Sequence, residues 1–127
     1  MATVPITVSS NMFITSSVTV LRYILPQSTI RGYVMFNNSQ QELVNPSIGF
    51  TPGGCIYQGV GCWHGIGIFR TTTSGRITYV RFYATYGNDI VVDMATNADN
   101  YITPGEYLVS LHITISLPDK GYVRIVR

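Results

Sequence analysis

The sequence predicts one all-β domain, a β-sandwich of about eight to ten short antiparallel strands, Ig-like or jelly-roll-like in type. Three observations carry the prediction. Strand formers dominate: Val, Ile, Thr and Tyr are abundant, against two Glu, one Lys and four Ala, and the scarce residues are the ones helices favour. Apolar and polar residues alternate at period two in several runs, and no window of about 11 residues repeats at the helical period. Clusters of Gly, Pro, Asn, Asp and Ser separate those runs at short intervals, with no crossover helix between them. At 127 residues and 46% apolar composition the chain has the size of one domain and enough apolar material for a core. Residues 1–127 are read as a single unit, since no linker, repeat or low-complexity tract divides them.

The elements follow in order. Val4, Ile6 and Val8 alternate with Thr3, Pro5, Thr7 and Ser9, which predicts a first strand. Pro5 lacks the N–H a ladder needs, so this strand belongs at a sheet edge. Residues 1–10 are therefore expected to be an N-terminal strand that exchanges between subunits, with Val4, Ile6 and Val8 lying against a neighbouring copy. Strands are expected next over residues 18–25 and 29–36, on either side of Pro26. Asn37-Asn38-Ser39-Gln40 reads as a turn, and its first three residues also match a glycosylation acceptor. Residues 76–86 form a long aromatic strand, with Ile77, Tyr79, Arg81 and Tyr83 on one face and Val80, Phe82 and Ala84 on the other. Gly87-Asn88-Asp89 turns the chain into Ile90-Val91-Val92, and residues 93–101 are expected to be a loop or a helical turn. Thr103-Pro104-Gly105-Glu106 has the form of a type II turn. It launches the clearest strand, residues 107–117, where Tyr107, Val109, Leu111, Ile113, Ile115 and Leu117 share one face. A short strand over residues 122–126 closes the chain.

Residues 49–67 stand out, with seven of the twelve glycines, both cysteines, the one tryptophan and one of the two histidines. No Lys-Ser/Thr pair follows and no helix opens, so the segment is not a phosphate cradle. Six residues separate Cys55 from Cys62, which is not the spacing of a zinc knuckle, and only His64 and the distant His112 offer further ligands. A disulfide between Cys55 and Cys62 fits the hairpin geometry. Synthesis in the cytosol instead favours two separate reduced thiols. Cys62 and His64 share a strand face about 7 Å apart, and no acid is placed to orient the histidine, so a nucleophile–base pair is not expected. Neither catalytic residues nor a metal or other cofactor is predicted. Trp63 and Tyr57 are read as interface residues together with Val4, Ile6 and Val8, because aromatic side chains with a polar tip suit contacts between proteins and also sugar stacking.

Charged residues make up 11% of the chain, against roughly a quarter in ordinary soluble domains. Eight cations and six anions would have to keep the whole surface in solution, which points to a surface covered by neighbours. The basic residues are scattered rather than clustered, so direct nucleic-acid contact is not expected. The acids, Glu42, Asp89, Asp93, Asp99, Glu106 and Asp119, are read mainly as turn residues, without the spacing of a calcium loop. Met1-Ala2-Thr3-Val4-Pro5 lacks the features of a secretory leader, and no stretch approaches the roughly 20 apolar residues of a spanning helix.

The segment Thr103-Pro104-Gly105-Glu106-Tyr107-Leu108-Val109, with the alternation that continues to Ser116, resembles the final strand of donor-strand pilins and spore-coat-U-type domains. Those families often carry a Pro-Gly-x-Tyr turn before an alternating strand. The likeness covers 14 of the 127 residues. It departs from the pattern in that the strand is not the last one, the secretory leader is missing, and both cysteines sit in one loop. What the resemblance implies is an Ig-like subunit completed by a neighbour's N-terminal strand, for which Val4, Ile6 and Val8 would serve.

Together these readings lead to the expectation of a non-enzymatic structural protein. It would be a self-assembling subunit of a virus or phage particle (a capsid, capsid-decoration or tail component), assembled in the cytoplasm and resident in the virion. Its partners would be copies of itself or other particle proteins. A pilus or fibre subunit on the cell surface, assembled by donor-strand pairing, is the first alternative. The second is a lectin-like carbohydrate-binding module that meets a host-surface glycan through Trp63 and exposed tyrosines.

Overall fold

The computed structural model describes residues 5–13, 28–56, 58–115 and 120–126. Nine strands form among them: β1 (Pro5–Phe13), β2 (Thr29–Phe36), β3 (Ser39–Glu42), β4 (Val44–Pro52), β5 (Gly61–Thr71), β6 (Gly75–Tyr86), β7 (Asp89–Ile102), β8 (Gly105–Ile115) and β9 (Lys120–Val126). The strand expected at 18–25 lies outside the described residues. Five strands make one sheet in the order β1-β9-β8-β5-β4, and four make the other in the order β3-β2-β6-β7. Every pairing is antiparallel, so the fold is the two-sheet sandwich the sequence predicts. Hairpins β2–β3, β4–β5, β6–β7 and β8–β9 fall alternately in one sheet and the other.

Period-two alternation builds the core between the sheets. Trp63 and Phe69 of β5, Val109, Leu111 and Ile113 of β8, and Val123 and Ile125 of β9 face Val34 and Phe36 of β2, Val80 and Phe82 of β6, and Val92 and Met94 of β7. The glycines of β5 belong to this packing. A Cβ at Gly65 would collide with the Phe82 ring, one at Gly61 with Phe50, and one at Gly67 would touch Leu43. Large side chains from neighbouring segments occupy the space those glycines leave, as close packing of an interior requires. Gly61, Gly65 and Gly67 of β5 are thus part of the core packing, whereas Gly53 of the preceding loop has open space around it.

The turns follow their residues. Asn37 and Asn38 both adopt left-handed backbone, with φ of 51° and 62°, which is what a two-residue hairpin connection requires. Asn37 also donates to the Ser74 carbonyl at 3.3 Å and accepts from the Arg76 N–H at 3.0 Å. Its amide is therefore engaged in joining the β2–β3 turn to the β5–β6 connection. Tyr107 Oη donates to the Thr103 carbonyl at 2.6 Å and clamps the connection between β7 and β8.

Two expectations are corrected. Ile77 does not share a face with Tyr79, Arg81 and Tyr83: it is fully buried with Val80, Phe82 and Ala84. The register shifts between Ile77 and Tyr79 on both sides of β6, and a bulge turns the side chain to the opposite face. Residues 93–101 are neither loop nor helix but lie within β7. Their alternation is disguised because the inward positions there include Thr96, Ala98 and Asn100, which are small or polar.

Candidate functional site

The outer face of the five-stranded sheet carries an open trough of about 490 Å³. Antiparallel register assembles it from four strands. Gly49 of β4 pairs with His64 of β5, His64 with His112 of β8, and His112 with Tyr122 of β9. One step along the strands, Ser47, Ile66, Ser110 and Arg124 form a second row, and Leu108 continues the same face. The His64 and His112 rings stand 6.2 Å apart between centroids. His64 leans over Gly49, where a Cβ would collide with its ring. His112 leans the other way and stacks flat on Tyr122, at 4.5 Å and 8°. Arg124 lies 5.9 Å from the Tyr122 ring centroid.

This trough is unusual for the solvent face of an antiparallel sheet, which is ordinarily polar. Ile66 and Leu108 on it are 37% and 38% exposed. Its polar lining is histidine, serine and Arg124, and no aspartate or glutamate takes part. His112 Nδ1 is buried without a hydrogen-bond partner. Burial, and then the positive charge of His64 and Arg124, pulls the pKa of His112 down to about 4. The ring is therefore neutral at pH 7, and Arg124 gives the trough a permanent positive charge.

A stapled loop covers the neighbouring row. Cys55 and Cys62 form a disulfide with their Cα atoms 5.1 Å apart, which overturns the expectation of two separate thiols. The hairpin brings the two Cα atoms into bridging range, so local geometry outweighs the inference drawn from compartment. Within the loop, the Cys55 N–H donates to Thr114 Oγ1 at 3.0 Å. Cys62 and Thr114 are buried although they stand on the outer face. Ile56 and Val60 of the loop are exposed at 62% and 71%.

The other anticipated residues are dispersed. Trp63 is fully buried with Phe50 against it, 4.9 Å between ring centroids, so its ring meets the core and not a surface partner. Ile6 and Val8 lie opposite Ile125 and Val123 on β9 of the same chain. Val4 and Tyr57 fall outside the described residues. Among the described residues no group of three or more His, Cys, Asp or Glu side chains converges as a metal site, and no helix is long and apolar enough to cross a membrane.

The outer face of the four-stranded sheet differs in kind. Arg81 donates twice to Asp93, at 2.8 Å each, which holds its guanidinium firmly charged against the opposing effect of burial. Its Cζ lies 4.3 Å from the Tyr83 ring centroid and 5.9 Å from that of Tyr33. Tyr33 and Tyr79 are 6.2 Å apart. Glu42, Asp99 and Glu106 also pair with arginines, respectively Arg31, Arg76 and Arg70. Cross-strand pairing therefore explains Asp93 and Asp99 better than turn chemistry, since both lie within β7.

The chain matches no protein-family model, and neither the curated proteins nor the solved structures compared with it give a match. The trough residues Ile66, Leu108 and Arg124 were not singled out by sequence reasoning. Parity along residues 107–117 did place Leu108 on the face of His112. What the sequence lacks is the long-range register that sets β4, β5, β8 and β9 side by side.

Proposed function

We propose that this protein is a non-enzymatic structural subunit that assembles with copies of itself, in the manner of a capsid, capsid-decoration or tail component of a virus or phage particle. The observation that supports this reading is the apolar trough on a sheet face that should be wet. Ile66 and Leu108 stand there at 37% and 38% exposed, in a chain where charged residues are only 11%. Apolar area on an outer surface marks a contact site, and low charge gives little protection against association. The most direct test is the size of the untagged protein across a concentration series, by light scattering and negative-stain microscopy. Association into regular particles, rings or filaments is expected. A monodisperse monomer at millimolar concentration would overturn the reading.

A further inference from the structure

Among the described side chains, the cross-strand ion pairs leave one arginine and one acid without a partner of opposite charge. Arg31, Arg70, Arg76 and Arg81 each meet a carboxylate from a neighbouring strand. Among the described residues, Arg124 is the arginine that meets none, and Asp89 is the acid that meets no arginine. Both are exposed. They sit on different sheets, Arg124 within β9 and Asp89 at the start of β7.

Their surroundings match as well as their charges. Arg124 stands in the trough across from Ser110, with Ile66 and Leu108 on the same face and no acid in the lining. Asp89 closes the tight β6–β7 turn, directly opposite Tyr86 in the ladder. Tyr86 and Ile90 flank it, 45% and 47% exposed. One surface is a concave strip with one arginine, next to Ser110, and with the apolar Ile66 and Leu108 on the same face. The other is a hairpin tip with a single anion between apolar side chains. A carboxylate entering the trough replaces water around Arg124 with a charge-assisted hydrogen bond, and the flanking apolar groups cover one another.

We propose that the β6–β7 turn of one copy docks into the trough of the next, with Asp89 against Arg124 and with Tyr86 and Ile90 against Ile66 and Leu108. This deepens the self-assembly reading and rests on it. The contact joins two different patches, so it is heterologous. Repeated, it closes a ring or extends a filament.

Charge exchange tests it on the full chain, read by sedimentation velocity and negative-stain microscopy, with circular dichroism to verify folding. Both residues are exposed, so the single variants Asp89→Arg and Arg124→Asp should fold. Each is expected to raise the concentration needed for association at least tenfold, by placing like charges together. The double variant Asp89→Arg with Arg124→Asp restores the opposite-sign pair and should return association to within about threefold of the wild type. If the wild type associates and the single variants do so equally well, the docking contact is wrong while self-assembly stands. If the single variants lose association and the double variant does not regain it, the pairing of these two residues is wrong. If the wild type never associates, self-assembly itself fails, and this contact with it.

Discussion

His112 has a titratable ring on a strand face where alternation alone would leave it in water. Register puts Tyr122 flat against it, His64 across from it and Arg124 one step away. The folded chain protonates this ring only near pH 4, against 6.5 for an unperturbed histidine. Between those values the unfolded state binds more protons, so stability rises with pH. The contribution is complete above about pH 6.5, declines as the pH falls toward 4, and levels off below. Thermal melts followed by far-UV circular dichroism should show Tm falling across this window, and His112→Gln should fall less steeply. Equal slopes for the two proteins would show that His112 is not the group responsible. The histidine and its face were legible from period two. Its neighbours Tyr122 and Arg124 were not, because nothing in residues 107–117 says which strand lies beside them. The same limit applies to Ile77, whose facing was misread because a bulge leaves no mark in an alternating string of strand formers.

At the scale of elements, the most informative piece is the loop between β4 and β5. Composition singled out this loop together with β5, but the reason for the β5 glycines lay elsewhere, in Phe50 of β4, Phe82 of β6 and Leu43 between β3 and β4. The disulfide shows a related gap: the spacing permitted a bridge, and the choice between bridge and thiols needed the hairpin itself. Cys55 and Cys62 close a short loop, with a sequence separation of seven. Restricting the unfolded chain over such a loop is worth about 2.5 kcal/mol in the loop-entropy account. The loop also keeps the Cys55–Thr114 hydrogen bond in place on β8. Reduction, or Cys55→Ser with Cys62→Ser, should therefore lower the unfolding free energy in urea by about 2–3 kcal/mol. An unchanged midpoint under reducing conditions would mean that the bridge does not constrain the folded chain as drawn. β7 makes the opposite point. Fourteen residues of strand were half missed because hydrophobic alternation is a poor guide where a core accepts Ala98, Thr96 and Asn100.

For the whole molecule, strand content, alternation and turns made the sandwich legible, whereas the order of strands was not. The β1·β9, β2·β6 and β5·β8 pairings join segments far apart in sequence, and no local signal specifies them. Their consequence is visible at the sheet edges. β4 carries Pro46 and Pro52 and a left-handed Asn45, β3 is four exposed polar residues, and the β7 register shifts twice against β6. Each device discourages another strand from adding. β1 protects the remaining edge, with Pro5 at its start and a register shift between Val8 and Met12. β9 beneath it has no such protection. It pairs with β8 without a shift, and its Val123 and Ile125 are fully buried. Removing residues 1–13 would leave a regular, unpaired edge above apolar core. The truncated chain is expected to form irregular β-aggregates at concentrations where the full chain stays dispersed or forms ordered particles, with turbidity and thioflavin fluorescence as the measure. A peptide of residues 1–13 added during refolding should suppress that aggregation by occupying β9 in trans. A truncated chain as well dispersed as the full one, peptide or not, would show that β1 does not serve as the cover for β9.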